Sequence, residues 1–331
     1  MPLFLGNITF ASVHHSNNFV RSVEIITIES DFGAGKKGAK LGPQALISLI
    51  NKHNIPFLSN ANNLRIVADD LEENTEHPFN KNIESIYEVQ QLAVDAIEKV
   101  LTKNLFPFII SGDHSNGCAG ISAIKNFYSE KRIGIVWIDA HADLHSPYST
   151  PSGNMHGMPL AAALAVNDLV EDANEVDEES IKLWQNLVHL GSKNIAPKVL
   201  PSDLVFIDLR DFEEDEEILL NNKNITFFTP QTRIEIGIEA VLNKALSQLN
   251  ECDLIYVSFD VDSLDPNISI GTGTPAANGM SENEAVFLLK ALINHPKTVA
   301  FEITEINPLL DREKPMEEVA ARIIGKVLSN S

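Results

Sequence analysis

The chain has 331 residues, 44% hydrophobic and 21% charged, the profile of a folded protein with length for one large or two modest domains. Its formal net charge of −21 repels nucleic acid and anionic membrane surfaces and tolerates small cations. Two cysteines without a CxxC pair exclude a disulfide framework and a thiolate zinc site, leaving Cys118 and Cys252 as packed thiols.

The opening MPLFLGNITF has no basic segment followed by a long apolar run, and the best internal apolar run, 158–166, is too short to cross a bilayer. The expected location is therefore the cytoplasm. Short β-branched runs alternate with helix-period stretches along the chain, the pattern of a parallel sheet covered by helices on both faces. Strands are predicted at 23–28, 64–68, 106–111, 133–138, 187–190, 204–209, 254–259 and 298–303. Between them Ile86, Val89, Ala93, Ile97 and Val100 recur at helical spacing, as do Val319, Ile323 and Val327. Ser281 and Glu284 form a capping box that opens a further helix. No linker rich in Pro, Gly or Ser and no repeat divides the chain, so residues 1–331 read as one domain. The acidic stretch 167–180, NDLVEDANEVDEES, reads as a solvated loop or insertion.

The chemistry-bearing residues follow three strands. The run IGIVWI stops at Asp139, followed by His141 and Asp143 in D-A-H-A-D, and an extended backbone would turn all three to one side. LIYVSF ends likewise in Asp260 and Asp262. His114 follows FPFII in S-G-D-H-S. Each set lies at the C-terminal end of a predicted parallel strand, where ligands of open α/β sheets collect. Four ionised carboxylates cannot be buried together without compensation, and divalent cations supply it. Two His and four Asp, with no thiolate, suit Mn(II) better than zinc or iron, with two of the Asp available to bridge a pair of ions. The loop after Asp143 is rich in small donors, including Thr150, Ser152, Asn154 and His156, and is suited to orienting a polar substrate. At the C-terminal end of TVAFEIT, Glu302 and Glu305 are carboxylates able to accept hydrogen bonds from a planar guanidinium.

These segments also resemble a known family. S-G-D-H-S, D-A-H-A-D, S-G-N-M-H-G-M-P, S-F-D-V-D-S-L-D-P, G-T-G-T-P and T-E-I-N-P, in order over 111–308, together with G-A-K-L-G-P at 38–43, resemble the ureohydrolases and, within them, the arginases. The resemblance implies a single three-layer α/β/α domain with a mainly eight-stranded parallel sheet, assembled into a homo-oligomer, trimer or hexamer. It implies two Mn(II) ions per subunit, one held by His114, Asp139, Asp143 and Asp260, the other by Asp139, His141, Asp260 and Asp262. The activity implied is hydrolysis of the guanidino group of L-arginine to L-ornithine and urea by a metal-bridging hydroxide that Asp143 orients. His156 corresponds to the proton shuttle and Glu305 to the guanidinium partner. Thr150, Ser152 and Asn154 correspond to contacts to the amino-acid end, and Thr274 to a residue behind the metals. Two positions depart from the family: His145 stands where arginases usually carry Asn, and Glu213 where they carry Asp.

Three rival readings follow. Another guanidino or formimino substrate (agmatine, guanidinobutyrate, guanidine, formiminoglutamate) would keep the reaction and alter the pocket at His145, Ser152 and Glu213. A two-metal phosphatase or nuclease would need an Arg or Lys cluster beside the ligands, which the sequence lacks. An inactive metal-binding protein would have no need of His156 and Glu305 beside a complete ligand set.

Overall fold

The computed structural model describes residues 21–166 and 174–329. The MPLFLGNITF segment and the first half of the acidic stretch (167–173) lie outside the described residues. Eight strands, β1 (Val23–Glu29), β2 (Asn63–Val67), β3 (Phe106–Ser111), β4 (Ile133–Ile138), β5 (Leu204–Ile207), β6 (Thr226–Phe228), β7 (Leu254–Asp260) and β8 (Thr298–Thr304), form one sheet in the order β2-β1-β3-β8-β7-β4-β5-β6. Every pairing is parallel.

A parallel sheet must be covered on both faces, and its inner strands are mostly apolar for that reason, with Ser258 in β7 and Glu302 in β8 as buried exceptions. In β4, Ile133, Ile135 and Trp137 enter one core while Val136 and Ile138 enter the other. The helices divide accordingly. On the first face lie α2 (Ile83–Thr102), α3 (Gly117–Phe127), α4 (Pro159–Leu164), α5 (Glu178–Val188) and α6 (Glu214–Asn222); on the second lie α1 (Gly42–His53), α8 (Ile238–Gln248), α9 (Glu282–Ile293) and α10 (Met316–Leu328). The short α7 (Pro230–Ile236) precedes α8. The result is the expected α/β architecture of three layers. The spacings read as helical are the buried stripes of α2 and α10, and Ser281 with Glu284 caps α9 as a reciprocal box.

Two strand assignments require correction. Residues 187–190 are not a strand, since Leu187 and Val188 end α5 and pack with Trp184 at helical spacing. Asp177 opens that helix by accepting from the Ser180 backbone N–H at 2.9 Å, so the end of the acidic stretch is helical instead of looped. The eighth strand is β6, three residues long and too short for alternation to reveal. The strand predicted over 204–209 ends at Ile207, where Asp208 turns left-handed (φ 74°) to meet Arg210 and Arg233. Cys118 and Cys252 are free, buried thiols, as expected. No helix among the described residues is long and apolar enough to cross a membrane.

Candidate metal centre and active site

All six expected ligands lie together beyond the C-terminal ends of β3, β4 and β7. His114 opens a single helical turn after β3, a turn capped by Asp113 through the Ser115 N–H at 2.9 Å. Asp260 is the last residue of β7 and caps the next turn, accepting from the Asp262 N–H at 2.8 Å. For Asp139, His141 and Asp143 the expectation of an extended segment fails. β4 stops at Ile138, and Asp143 adopts a left-handed backbone (φ 52°). A turn, not strand pleating, therefore gathers the three, and non-glycine residues in that conformation cost about 1–3 kcal/mol, typical of functional sites.

His114 Nδ1 lies 3.0 Å from Asp139 Oδ2, 3.1 Å from Asp143 Oδ2 and 3.2 Å from Asp260 Oδ2. His141 Nδ1 lies 3.5 Å from Asp139 Oδ1 and 3.0 Å from Asp262 Oδ2. Asp139 thus offers one oxygen to each imidazole, as a residue bridging two cations must. Asp260 stands with the His114 group, and Asp262 with the His141 group.

Three observations test whether these residues fit cations. His114 Nδ1, Asp139 Oδ2 and Asp143 Oδ2 are buried and make no aligned hydrogen bond despite their proximity. Lone pairs, not N–H and O, face a common point. Burial followed by the neighbouring Asp139 pushes the Asp143 carboxyl up to about 6, and burial with Asp262 and Asp139 raises Asp260 well above the carboxylate range. An ionised carboxylate buried without a partner costs several kcal/mol, so this cluster favours positive charge in its midst. Finally, His114 Nε2 lies 2.8 Å from Ser258 Oγ, and the Ser258 hydroxyl donates to Glu302 Oε2 at 3.0 Å. Nε2 therefore carries the proton and Nδ1 is left as a ligand. The donor set fits a pair of divalent cations.

Glu302 corrects another expectation. It does not reach the cleft: it is fully buried on one face of β8, where Ser111 (2.7 Å), Tyr256 (2.6 Å) and Ser258 donate to it. Ser258 sits opposite Glu302 in the β7/β8 register. The sequence signal was Tyr256 and Ser258 at i, i+2 inside an apolar buried strand. Ser111, Tyr256 and Ser258 were not singled out from it.

Glu305, by contrast, belongs to the site. It has a left-handed backbone (φ 62°), its N–H donates to the Gly112 carbonyl at 2.9 Å, and its Oε1 accepts from the His114 N–H at 2.9 Å. His156 Nδ1 lies 3.2 Å from the same oxygen. Burial pulls the imidazole down, but the hydrogen bond and charge of Glu305, with Asp143 and Asp113 beyond, prevail and raise it to about 9.

A cleft of about 330 Å³ opens over the ligands. Thr150, Ser152, Asn154 and Thr274 line it together with His145, Glu213 and His156, whereas Glu305 lies behind His156 and is not part of the lining. Thr150 Oγ1 accepts from the Ser152 and Gly153 N–H groups, at 3.3 and 2.9 Å, and Thr274 Oγ1 donates to Asp262 Oδ2 at 3.2 Å. At the outer rim His145 Nδ1 meets Ser149 Oγ at 3.2 Å and Nε2 meets Glu213 Oε2 at 3.0 Å. Glu216 is buried and accepts from the Leu144 and Glu213 N–H groups. Asp211 is exposed, 3.7 Å from His141 Nε2.

A parallel sheet whose strand ends gather a two-histidine, four-aspartate cluster under a polar cleft defines a metal-dependent hydrolase. A sequence model described as the arginase family matches residues 21–329. The chain belongs to the arginase family. It is 30% identical to an arginase of Staphylococcus aureus over 313 residues, covering 92% of this chain and 96% of that protein. The crystal structure of arginase from Bacillus subtilis superposes with a TM-score of 0.75 at 27% identity, covering 93% of this chain and 99% of that one. Arginase of Entamoeba histolytica, solved in complex with L-ornithine, gives 0.76 at 26% identity, covering 93% and 97%.

Proposed function

We propose that this chain, as one domain over residues 1–331, hydrolyses L-arginine to L-ornithine and urea, with two Mn(II) ions held by His114, Asp139, His141, Asp143, Asp260 and Asp262. The carrying observation is the split of Asp139, one oxygen toward each histidine, beneath a cleft lined by His156, whose Nδ1 is held by the buried Glu305. When bound, the ions supply Lewis acidity and lower the pKa of water toward neutrality. Glu305, fixed from behind by the His114 N–H, offers a carboxylate for paired hydrogen bonds to the planar guanidinium. Asp143 orients the attacking water as proton acceptor. His156, held protonated by Glu305, donates to the departing amine. Thr150, Ser152 and Asn154 bind the far end of the substrate, and the half-exposed Glu213 carboxylate receives its ammonium.

The ornithine complex of the Entamoeba relative supports arginine as substrate. Steady-state assay of the Mn(II)-loaded protein should yield urea and ornithine in equal amounts, and no urea from arginine would end this reading. A second reading keeps the reaction but changes the substrate to agmatine, guanidinobutyrate, guanidine or formiminoglutamate. The observation in its favour is that both His145 nitrogens are already engaged, so neither is free for a substrate carboxylate. Ranking these compounds by kcat/KM separates the two. The family resemblance further supports a cytoplasmic homo-oligomer, trimer or hexamer, whose mass light scattering would measure.

A further inference from the structure

We propose that Trp137 is a positioning residue of the metal centre: stacked flat on the His114 imidazole, it fixes the plane of that ring and strengthens its hold on one of the two ions. The inference rests on the two-ion reading of the centre given above. The ring centroids lie 4.0 Å apart with only 6° between the planes, and both side chains are buried. One row of the sheet makes this possible. Trp137 is paired with Ser258 in the β4/β7 register and Ser258 with Glu302 in β7/β8, so the three side chains share one sheet face. His114, arriving in the turn after β3, rests its edge on Ser258 and its face on Trp137. Gly117, three residues further on, leaves the room: a Cβ there would stand 2.6 Å from Trp137 Cη2.

Two observations separate this contact from ordinary packing. Trp137 Nε1 is buried and has no hydrogen-bond partner among the described residues, whereas a buried indole N–H usually finds one. An apolar side chain would fill the same space without that cost, so what the indole adds is its broad, electron-rich face. The second observation is how His114 is otherwise held. The contacts at Nδ1 and Nε2 fix two points on the edge of the imidazole and leave it free to rock about the line joining them. A flat partner on the face of the ring removes that freedom. A cation bound at Nδ1 also draws electron density from the imidazole, and indole is the aromatic face that best attracts positive charge, so the stack tightens when the site is loaded. Among the described residues no aromatic ring stacks on His141, and the effect therefore falls on one ion of the pair.

The experiment follows each ion separately. Metal-free protein is titrated with Mn(II) while the free ion is counted by its electron paramagnetic resonance signal, which yields a dissociation constant for each binding step. The readout is ion binding and not turnover, so a failure of arginine as substrate shows separately, in the wild-type urea assay. A single binding step in wild type would overturn the two-ion reading, and this inference with it, before any variant is compared. Trp137→Leu, which occupies the core but offers no flat face, should raise one constant by about 10–100-fold and leave the other at its wild-type value. Trp137→Phe keeps a smaller, less electron-rich ring and should raise the same constant by less. Circular dichroism of the metal-free forms checks folding, and if Trp137→Leu does not fold, Trp137→Phe decides alone. Constants unchanged in the folded variants, or both raised together as a general loosening of the core would raise them, would overturn the role of Trp137.

Discussion

Ser258 stands between His114 and Glu302, accepting from the imidazole Nε2–H at 2.8 Å and donating to the carboxylate at 3.0 Å. The order of donors fixes which nitrogen of His114 faces the cation site. Removing such a support costs about 10–100-fold in metal affinity. Ser258→Ala is therefore expected to weaken retention of one metal ion by that factor, measured by competition with a chelator of known affinity. Glu302→Gln should do the same, since an amide can turn its NH2 toward Ser258 and reverse the donor order. Unchanged retention in both would refute the relay.

Metal removal tests the centre as a whole. Buried carboxylates that lack a cation repel each other, so chelation should lower the melting temperature, and Mn(II) restored at a hundredfold excess over its Kd should return about 2.7 kcal/mol per ion bound, or roughly 4 °C each for a chain of this length. Asp139→Ala, which removes the carboxylate that offers one oxygen to each histidine, should melt at the same temperature with and without Mn(II). Differential scanning fluorimetry reads both outcomes.

The His156 and Glu305 pair predicts a pH dependence with a definite sign. The folded value, about 9, lies above the ordinary value of about 6.5, so the pair's stabilisation is complete below about 6.5 and lost as pH rises through about 9. In metal-free protein the stability gap between wild type and Glu305→Gln should narrow over that window in urea titrations. Imidazole NMR should report a lower pKa for His156 in the variant. An unshifted resonance would remove Glu305 as the cause.

Gly153 is irreplaceable on two counts. Its φ is +74°, and a Cβ built there would stand 1.9 Å from the Pro78 carbonyl oxygen. Gly153→Ala must move the loop that carries Thr150, Ser152 and Asn154, so we expect kcat/KM to fall by more than about tenfold, with a KM component, while the metal content stays at the wild-type value. Metal analysis beside kinetics separates a displaced loop from a damaged centre.

The strand ends and their ligands were legible from sequence because β3, β4 and β7 are largely apolar runs, β7 interrupted by Ser258, that break at Ser111, Asp139 and Asp260. What stayed hidden was three-dimensional pairing. Glu302 and Glu305 are only three positions apart, yet Glu302, inside β8, turns inward to Ser111, Tyr256 and Ser258, while Glu305, one residue past the strand in a left-handed turn, reaches the His114 N–H and His156. No local pattern distinguishes them. Glu216 stands among exposed acids at the start of α6, and nothing local marks it as buried: Leu144 and His145, distant in sequence, cover it. β6 was missed because three residues carry too little periodicity.

The order of the sheet bears on how the protein is made. β8 is the last strand synthesised, yet it lies between β3 and β7, joining β2-β1-β3 to β7-β4-β5-β6. His114 comes from one half, while the four aspartates and His141 come from the other. A nascent chain that stops short of residue 298 holds every ligand but has no scaffold to bring His114 to them. The group of Asp139, His141 and Asp262 can form without β8, but the group that includes His114 waits for it, and a product cut short before β8 would be idle as a hydrolase.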